Sequence, residues 1–329
     1  MLLLSVGTAV FVGLLAWQGF GAVLSTLMSA GWGLLVVAAF HLLPLVIDAG
    51  AIVVLFDRRK ARRSMRDALR ARWGGESVNS LLPAGQIGGP VLMVRHLAQR
   101  GVRLRDAAAA ITVSTTVQAL AQVLFALFGL ALFGMYAGRG TSADWRTPSL
   151  LAAAVLSLFV LAFYWAQQRG LFGRLLRLTS IAFARYDRSA LATHADAIDV
   201  AVGALYRDRR KIAATFALSF VGWLVGTGEV WLALRFLDHP VGWLDALLLE
   251  SVGQAIRGAA FANPGSHGVQ EGGYLALAPL VGLPPDVAHA LSLVKRAREL
   301  ALGLPGLVYL HWSERNWLRQ RRLQMPLTD

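Results

Sequence analysis

The chain contains no cysteine, which excludes disulfides, zinc–thiolate sites and thiol catalysis. Charged residues make up only 16% of its 329 positions, too few to cover the surface of a soluble domain. No glycine-rich phosphate loop is present, so ATP-driven work by this chain alone is not expected. Neither a Gly-x-Ser-x-Gly elbow nor a His-Glu-x-x-His pair occurs. The longest segment between apolar runs, residues 168–211, is too short to hold a separate catalytic domain. Acidic residues are also scarce, 19 against 32 Lys and Arg, for a net charge of +13. Nucleic acid is one partner such a balance allows. Arginine accumulating in the loops on one side of a membrane explains it better, and no nucleic acid is expected.

What the chain does have is apolar length. Hydrophobic residues reach 56%, with a mean hydropathy of +0.54, and several runs approach the roughly 20 residues that cross a bilayer. The expected fold is an all-α polytopic membrane protein, a single transmembrane domain over residues 1–329. About six full spans are expected, at residues 2–24, 32–56, 107–137, 148–167, 212–237 and 286–311. The N-terminal run lacks the basic region of a secretory signal and is read as a retained span. Most of the Lys and Arg fall in residues 57–72, 95–105, 168–211 and 312–329. The positive-inside rule puts these four segments, and both termini, in the cytoplasm. Residues 57–72 are expected to be an amphipathic helix on anionic lipid.

Two polar, breaker-rich stretches interrupt this pattern. Residues 76–95 run from Glu76 through Pro83, Gly85, Gln86, Gly88, Gly89 and Pro90 to Arg95. Residues 250–274 run from Glu250 through Arg257, Asn263, Pro264, Gly265, His267, Gly268 and Glu271 to Tyr274. Both open with Glu-Ser-Val, break at a proline and continue through clustered glycines. Broken backbone at membrane depth is tolerated where it is buried in protein or lines a wet cavity. Charge counting makes the first stretch dip in from the cytoplasm and the second from the outside, as two re-entrant broken-helix hairpins of an inverted repeat. A helix is expected near Gly88 or Pro90 in the first and near Val269 in the second. Their N-terminal amides would face an anionic group. The alternative is that the breakers only permit kinks and tight packing.

Lys295, Arg296 and Arg298 lie within the last apolar run, where each costs about 3 kcal/mol if it faces lipid. They need a partner among Glu271, Glu250 and Glu299, or they snorkel to the interface. Glu271 opposite Lys295 and Arg296 is the first contact expected. His267 and Glu271 share a helix face at a four-residue spacing, which suits an acid–base pair, a metal pair or a packing hydrogen bond. No third ligand is near, so no metal and no cofactor is expected. Asp48 and Glu229 are intramembrane acids that can pair with a base or carry a proton, and a structural ion pair is the role expected of each.

The run Asn263-Pro264-Gly265-Ser266-His267-Gly268-Val269-Gln270-Glu271-Gly272 resembles the Pro-Gly-Gly-x-Gly-x-x-Glu signature of a flippase-like family. That family is named for the transmembrane region of lysylphosphatidylglycerol synthase, the multiple peptide resistance factor. Leu82-Pro83-Ala84-Gly85-Gln86-Ile87-Gly88-Gly89, followed by Arg95 and Leu97, resembles its first segment. Lys295-Arg296 falls where members carry an arginine. The resemblance covers essentially the whole chain. Its Gln-Ile-Gly-Gly-Pro form and length look most like a bacterial branch associated with hopanoid biosynthesis. Pro90 stands where many members have an acidic residue, and Ser266 replaces the second glycine. The aminoacyl-transferase domain of the synthase has no counterpart in these residues, so that activity is not carried over.

The resemblance implies a lipid flippase-like transporter of the bacterial inner membrane. Its substrate would be a membrane lipid, anionic or of hopanoid type, and lipid-biosynthesis enzymes are possible partners. Glu76, Pro83, Gly85, Gln86, Gly88, Gly89, Arg95, Glu250, Arg257, Asn263, Pro264, Gly265, His267, Gly268, Glu271, Lys295 and Arg296 would line its cavity. A lipid-modifying enzyme using Glu271 and His267, or a scaffold for a biosynthetic complex, are the alternatives.

Overall fold

A computed structural model describes residues 31–56, 61–82, 85–137, 188–259 and 269–324, together with four isolated helical positions, Ala154, Leu158, Leu161 and Trp165. Among the described residues there are helices and turns and no strand. The elements are α1 (Leu42–Val54), α2 (Ala61–Leu81), α3 (Gly85–Gln99), α4 (Leu104–Ala137), α5 (Arg188–Arg207), α6 (Arg209–Phe236), α7 (Trp243–Ala259), α8 (Val269–Leu277), a 3-10 turn (Ala278–Val281) and α9 (Pro285–Gln324). Helix also precedes α1, so its apolar span is Gly31–Val54.

Three stretches are long and apolar enough to cross a membrane: Gly31–Val54, Leu104–Leu132 and Arg209–Phe236. They coincide with three of the expected spans. The expected spans at 2–24 and 148–167 lie outside the described residues, apart from the four isolated positions. The last expected span is helical within α9, and its four charged residues, 295, 296, 298 and 299, keep it out of the apolar class.

Local chemistry sets the helix ends. Gly101 takes φ +89 after α3, a conformation glycine adopts without steric cost. The Val102 N–H then reaches Leu97 O and the Gly101 N–H reaches Ala98 O, closing the helix with a Schellman motif. After α6 the same motif forms around Asp238 at φ +58, with the His239 N–H on Leu234 O. Pro240 prevents the helix from continuing. Asp208 caps α6 through the Lys211 N–H at 3.2 Å, and Lys211 Nζ caps the far end of α1 at Leu55 O, 3.2 Å away.

Two expectations change. The expected helix of the 57–72 segment is, over its described residues, part of a longer one: α2 runs unbroken from Ala61 through Glu76 to Leu81, with Arg66 and Arg70 exposed. Ala68 and Ala71 are buried, and Arg72 reaches Asp48 of α1 at 2.7 Å. An aspartate inside an apolar span needs a base, and the arginine that supplies it pulls α2 into the bundle. The second change is in α3, which starts at Gly85 with Pro90 inside it, not at Gly88 or Pro90. Gly89 makes this possible. It lies against Gly75 of α2, and its N–H donates to Asn79 Oδ1 at 2.9 Å, so α2 supports α3 where a proline weakens the helix ladder. In the second stretch α8 begins at Val269, as expected.

The helix contacts follow a doubled pattern. α1 packs on α2 as α6 packs on α7; α2 on α3 as α7 on α8; α3 on α4 as α8 on α9. Across the halves, α2 packs on α9 as α7 packs on α4, and α1 packs on α6. One pairing departs: α4 packs along α6, whereas α9 forms no such seam with α1. The largest core cluster joins α6, α7, α8 and α9 through Leu234, Leu248, Leu277 and Leu291. Another joins α1, α2, α3 and α4 through Ile52, Ala71, Met93 and Ile111.

Candidate functional site

The bundle interior holds charges, and they are paired. His41 of the α1 span has Nδ1 2.8 Å from Glu229 Oε2 of α6 and Nε2 2.8 Å from Glu76 Oε1 of α2. Arg298 of α9 donates from Nε to Glu229 Oε1 at 3.0 Å, and its Nη1 lies 3.7 Å from Glu76 Oε1. One turn earlier on α9, Lys295 is bonded to Glu250 of α7. Gln254 donates to the same carboxylate at 2.9 Å, and Tyr274 lies 3.4 Å from it. The Lys295 ammonium also stands 5.6 Å from the centre of the Tyr274 ring, a cation–π distance. Arg296 turns to Glu299 at 3.1 Å. Nearer the Lys211 end of the bundle, Asp48 accepts from Arg72 and from Gln118, each at 2.7 Å.

These pairs follow from the cost of a lone charge in a low-dielectric interior, which falls steeply once the charge is paired and hydrogen-bonded. Glu229 and Glu250 are 4% and 6% exposed at their side chains, and Lys295 4%. Glu76 is 27% exposed. It borders a small cavity of about 10 Å³ lined by His41, Trp73, Ser77, Ser80, Arg298 and Glu299, among others, at the lower limit for one water molecule. A second cavity of the same size lies against Asp48, Arg72, Gln118 and Ser219.

The two Glu-Ser-Val triplets share several of their contacts. Glu76 and Glu250 each face a base on α9. Ser77 donates to the carbonyl four residues back, Trp73 O, and Ser251 does the same to Leu247 O. Each serine faces a glycine whose missing side chain leaves room for it, Gly306 of α9 for Ser77 and Gly129 of α4 for Ser251. Val78 and Val252 are buried.

The expected cavity residues therefore divide. Glu76, Glu250 and Lys295 meet in the network, and Arg296 lies beside it on Glu299. The base of Glu250 is Lys295, one of the expected pairings. Gly89 serves helix packing, and Gly88 lies beside it in α3. Arg95 sits away from the network, on Glu314 near the end of α9 and 5.8 Å from the centre of the Trp317 ring. Gly85 and Gln86 open α3, Arg257 falls in α7 and Glu271 in α8, but their side-chain surroundings lie outside the described residues. So do Pro83, Asn263, Pro264, Gly265, His267 and Gly268. The expected contact of Glu271 with Lys295 and Arg296 falls there too.

Sequence reading left His41, Arg72, Glu229 and Arg298 out of the site. Each is ionisable and close to an apolar run, and that signal was sufficient to include them. Arg72 was masked by the basic segment before it.

The protein-family model described as the lysylphosphatidylglycerol synthase TM region matches residues 4–306. The chain belongs to this family. The match covers both Glu-Ser-Val helices and the α9 bases. No curated protein and no solved structure matches the chain. Membership in the lysylphosphatidylglycerol synthase TM family makes this a lipid-related membrane protein.

Proposed function

We propose that the chain is a flippase-like transporter that moves a polar-headed lipid between leaflets of the bacterial inner membrane, with an anionic phospholipid or a hopanoid-pathway lipid as cargo. In this reading α2–α3 and α7–α8 are re-entrant hairpins, one from each face, related as an inverted repeat, and both termini are cytoplasmic. The observation that carries it is the equivalence of the two Glu-Ser-Val helices, which meet one shared helix at Lys295 and Arg298, three residues apart. Discontinuous helices meeting where two repeats join are a recurring transporter site. Family membership supports a lipid as the cargo.

The test is reconstitution. The purified chain in liposomes of anionic phospholipid is expected to carry a headgroup-labelled lipid across the bilayer with its mass unchanged. Chemical conversion of the lipid overturns the transporter reading in favour of an enzyme. Absence of both, with lipid-biosynthesis enzymes co-purifying, overturns it in favour of a scaffold.

A further inference from the structure

His41 is held from both sides. Nδ1 and Nε2 each lie 2.8 Å from a carboxylate oxygen, of Glu229 and Glu76. A neutral imidazole has one N–H, and an ionised carboxylate only accepts. With three groups joined by two short contacts, two hydrogens are needed between them. The neutral imidazole supplies one, and the second is an additional proton, whether it rests on the ring or on a carboxylate. Arg298 does not remove the need. Its Nη1 is 3.3 Å from His41 Nε2. A bond directed there would leave the lone pairs of Nε2 and Glu76 Oε1 facing each other at 2.8 Å.

The other charged groups on the elements around this point are accounted for. From α2 come Glu76 and, farther along, Arg72, which is held by Asp48. From α6 comes Glu229, and from α9 come Arg298, Lys295, which is neutralised by Glu250 of α7, and Glu299, the last with Arg296. From α4, Gln118 is neutral and serves Asp48. Glu76, Glu229 and Arg298 together carry one negative charge in excess, and one further proton neutralises it.

We propose that the Glu76–His41–Glu229 triad is a proton-binding site whose occupancy fastens α2 to α1, which makes the proton the coupling ion of the translocation reading above, on which the proposal rests. Loading adds one proton to the triad and closes both contacts. Unloading returns that proton to water and leaves one N–H for two carboxylates. Glu229 keeps it, being 4% exposed and held by Arg298 at 3.0 Å. Glu76 is released, being 27% exposed and only 3.7 Å from Arg298. It lies beside the small cavity and hydrates there. What moves is α2, the first helix of the first hairpin.

Because the chain has no cysteine, a single reporter suffices. Ser80→Cys places a thiol on α2 in the wall of that cavity. In the full chain in liposomes, its rate of modification by a small maleimide is measured from acid to alkaline pH. The same is done with His41→Gln added, so that thiol chemistry cancels between the two. The expected result is an additional several-fold rise with pH when His41 is present, absent with His41→Gln. Equal pH profiles in the two overturn the proposal.

If His41→Gln does not fold, Glu76→Gln serves. Its amide removes the second carboxylate, and the additional rise is again expected to vanish; its persistence overturns the proposal. Lipid movement is followed in parallel with the native residues. Movement with no His41-dependent change in labelling sinks the proton site alone. His41-dependent labelling with no movement sinks the transport reading alone.

Discussion

The same tripeptide occurs within two helices, toward the end of α2 and midway along α7, and the two copies live in different surroundings. Glu250-Ser251-Val252 is dry: its carboxylate is 6% exposed and held by Lys295, Gln254 and Tyr274. Glu76-Ser77-Val78 is wetter: its carboxylate is 27% exposed, shares Arg298 with Glu229, and leans on a histidine. A fully satisfied buried pair is a fixed joint, because separating it strands a charge. A half-hydrated carboxylate loses less when it lets go. The comparison teaches that two copies of one motif can differ in burial and pairing, one carboxylate being fully held by the protein and the other partly left to water.

The sharpest way to break this comparison is to strand a charge in each copy. Glu250→Ala leaves Lys295 buried without its partner and is expected to cost about 3–5 kcal/mol. It should appear as a large drop in the thermal midpoint in detergent, while Glu250→Leu combined with Lys295→Met recovers most of the loss. Glu76→Ala is expected to cost less, about 1–3 kcal/mol, because water reaches the site and Arg298 retains Glu229. Equal losses for the two would erase the distinction between dry and wet copies.

Next in size are the glycine seats of the two serines. A Cβ at Gly129 or Gly306 would collide with Ser251 or Ser77, and overpacking of this kind costs about 1–3 kcal/mol. Gly129→Ala and Gly306→Ala should lower the thermal midpoint by similar amounts if the two helices are repeats of one unit. A loss confined to one site would argue that the matching contacts are coincidental.

Smaller effects belong to the end of the bundle that carries Arg95 and the last turns of α9. His96 is buried against Tyr309, with its Nε2 unpaired. Burial first, then Arg100, pushes its pKa down to about 4. Since the folded value lies below the usual 6.5, the stability this neutral ring allows is complete above about pH 6.5. It is lost as pH falls from there through about 4. Thermal midpoints should therefore drop over that window, and His96→Phe should flatten this part of the profile. Glu314 is the least consequential. The Arg95 hydrogen bond holds its carboxyl below the usual range, so its contribution is lost only in acid. Exposed pairs contribute about 0–1 kcal/mol, and Glu314→Gln should barely shift the midpoint at neutral pH.

Much of the site was legible because charge in an apolar chain is conspicuous. Lys295 demanded an acid, and Glu250 stands among the candidates in the sequence alone. The helix at Val269 followed from local chemistry, since prolines and glycines act on their own segment whatever packs beside it. Arg72 and α3 were misread for one reason. Whether an arginine lies on lipid or reaches inward depends on an aspartate 24 residues away. Whether a helix tolerates Pro90 depends on an asparagine of another helix.

The sequence by itself determined that this is a membrane protein of apolar helices with two related, charge-bearing interruptions, because hydropathy, breakers and charge are properties of segments. Only the tertiary structure decided which charges meet. Two Glu-Ser-Val copies identical in letters became a dry joint and a wetter one through what α9 and the α1 span place beside them. Partner choice among buried charges is a matter of distances between helices, and no segment carries that information alone.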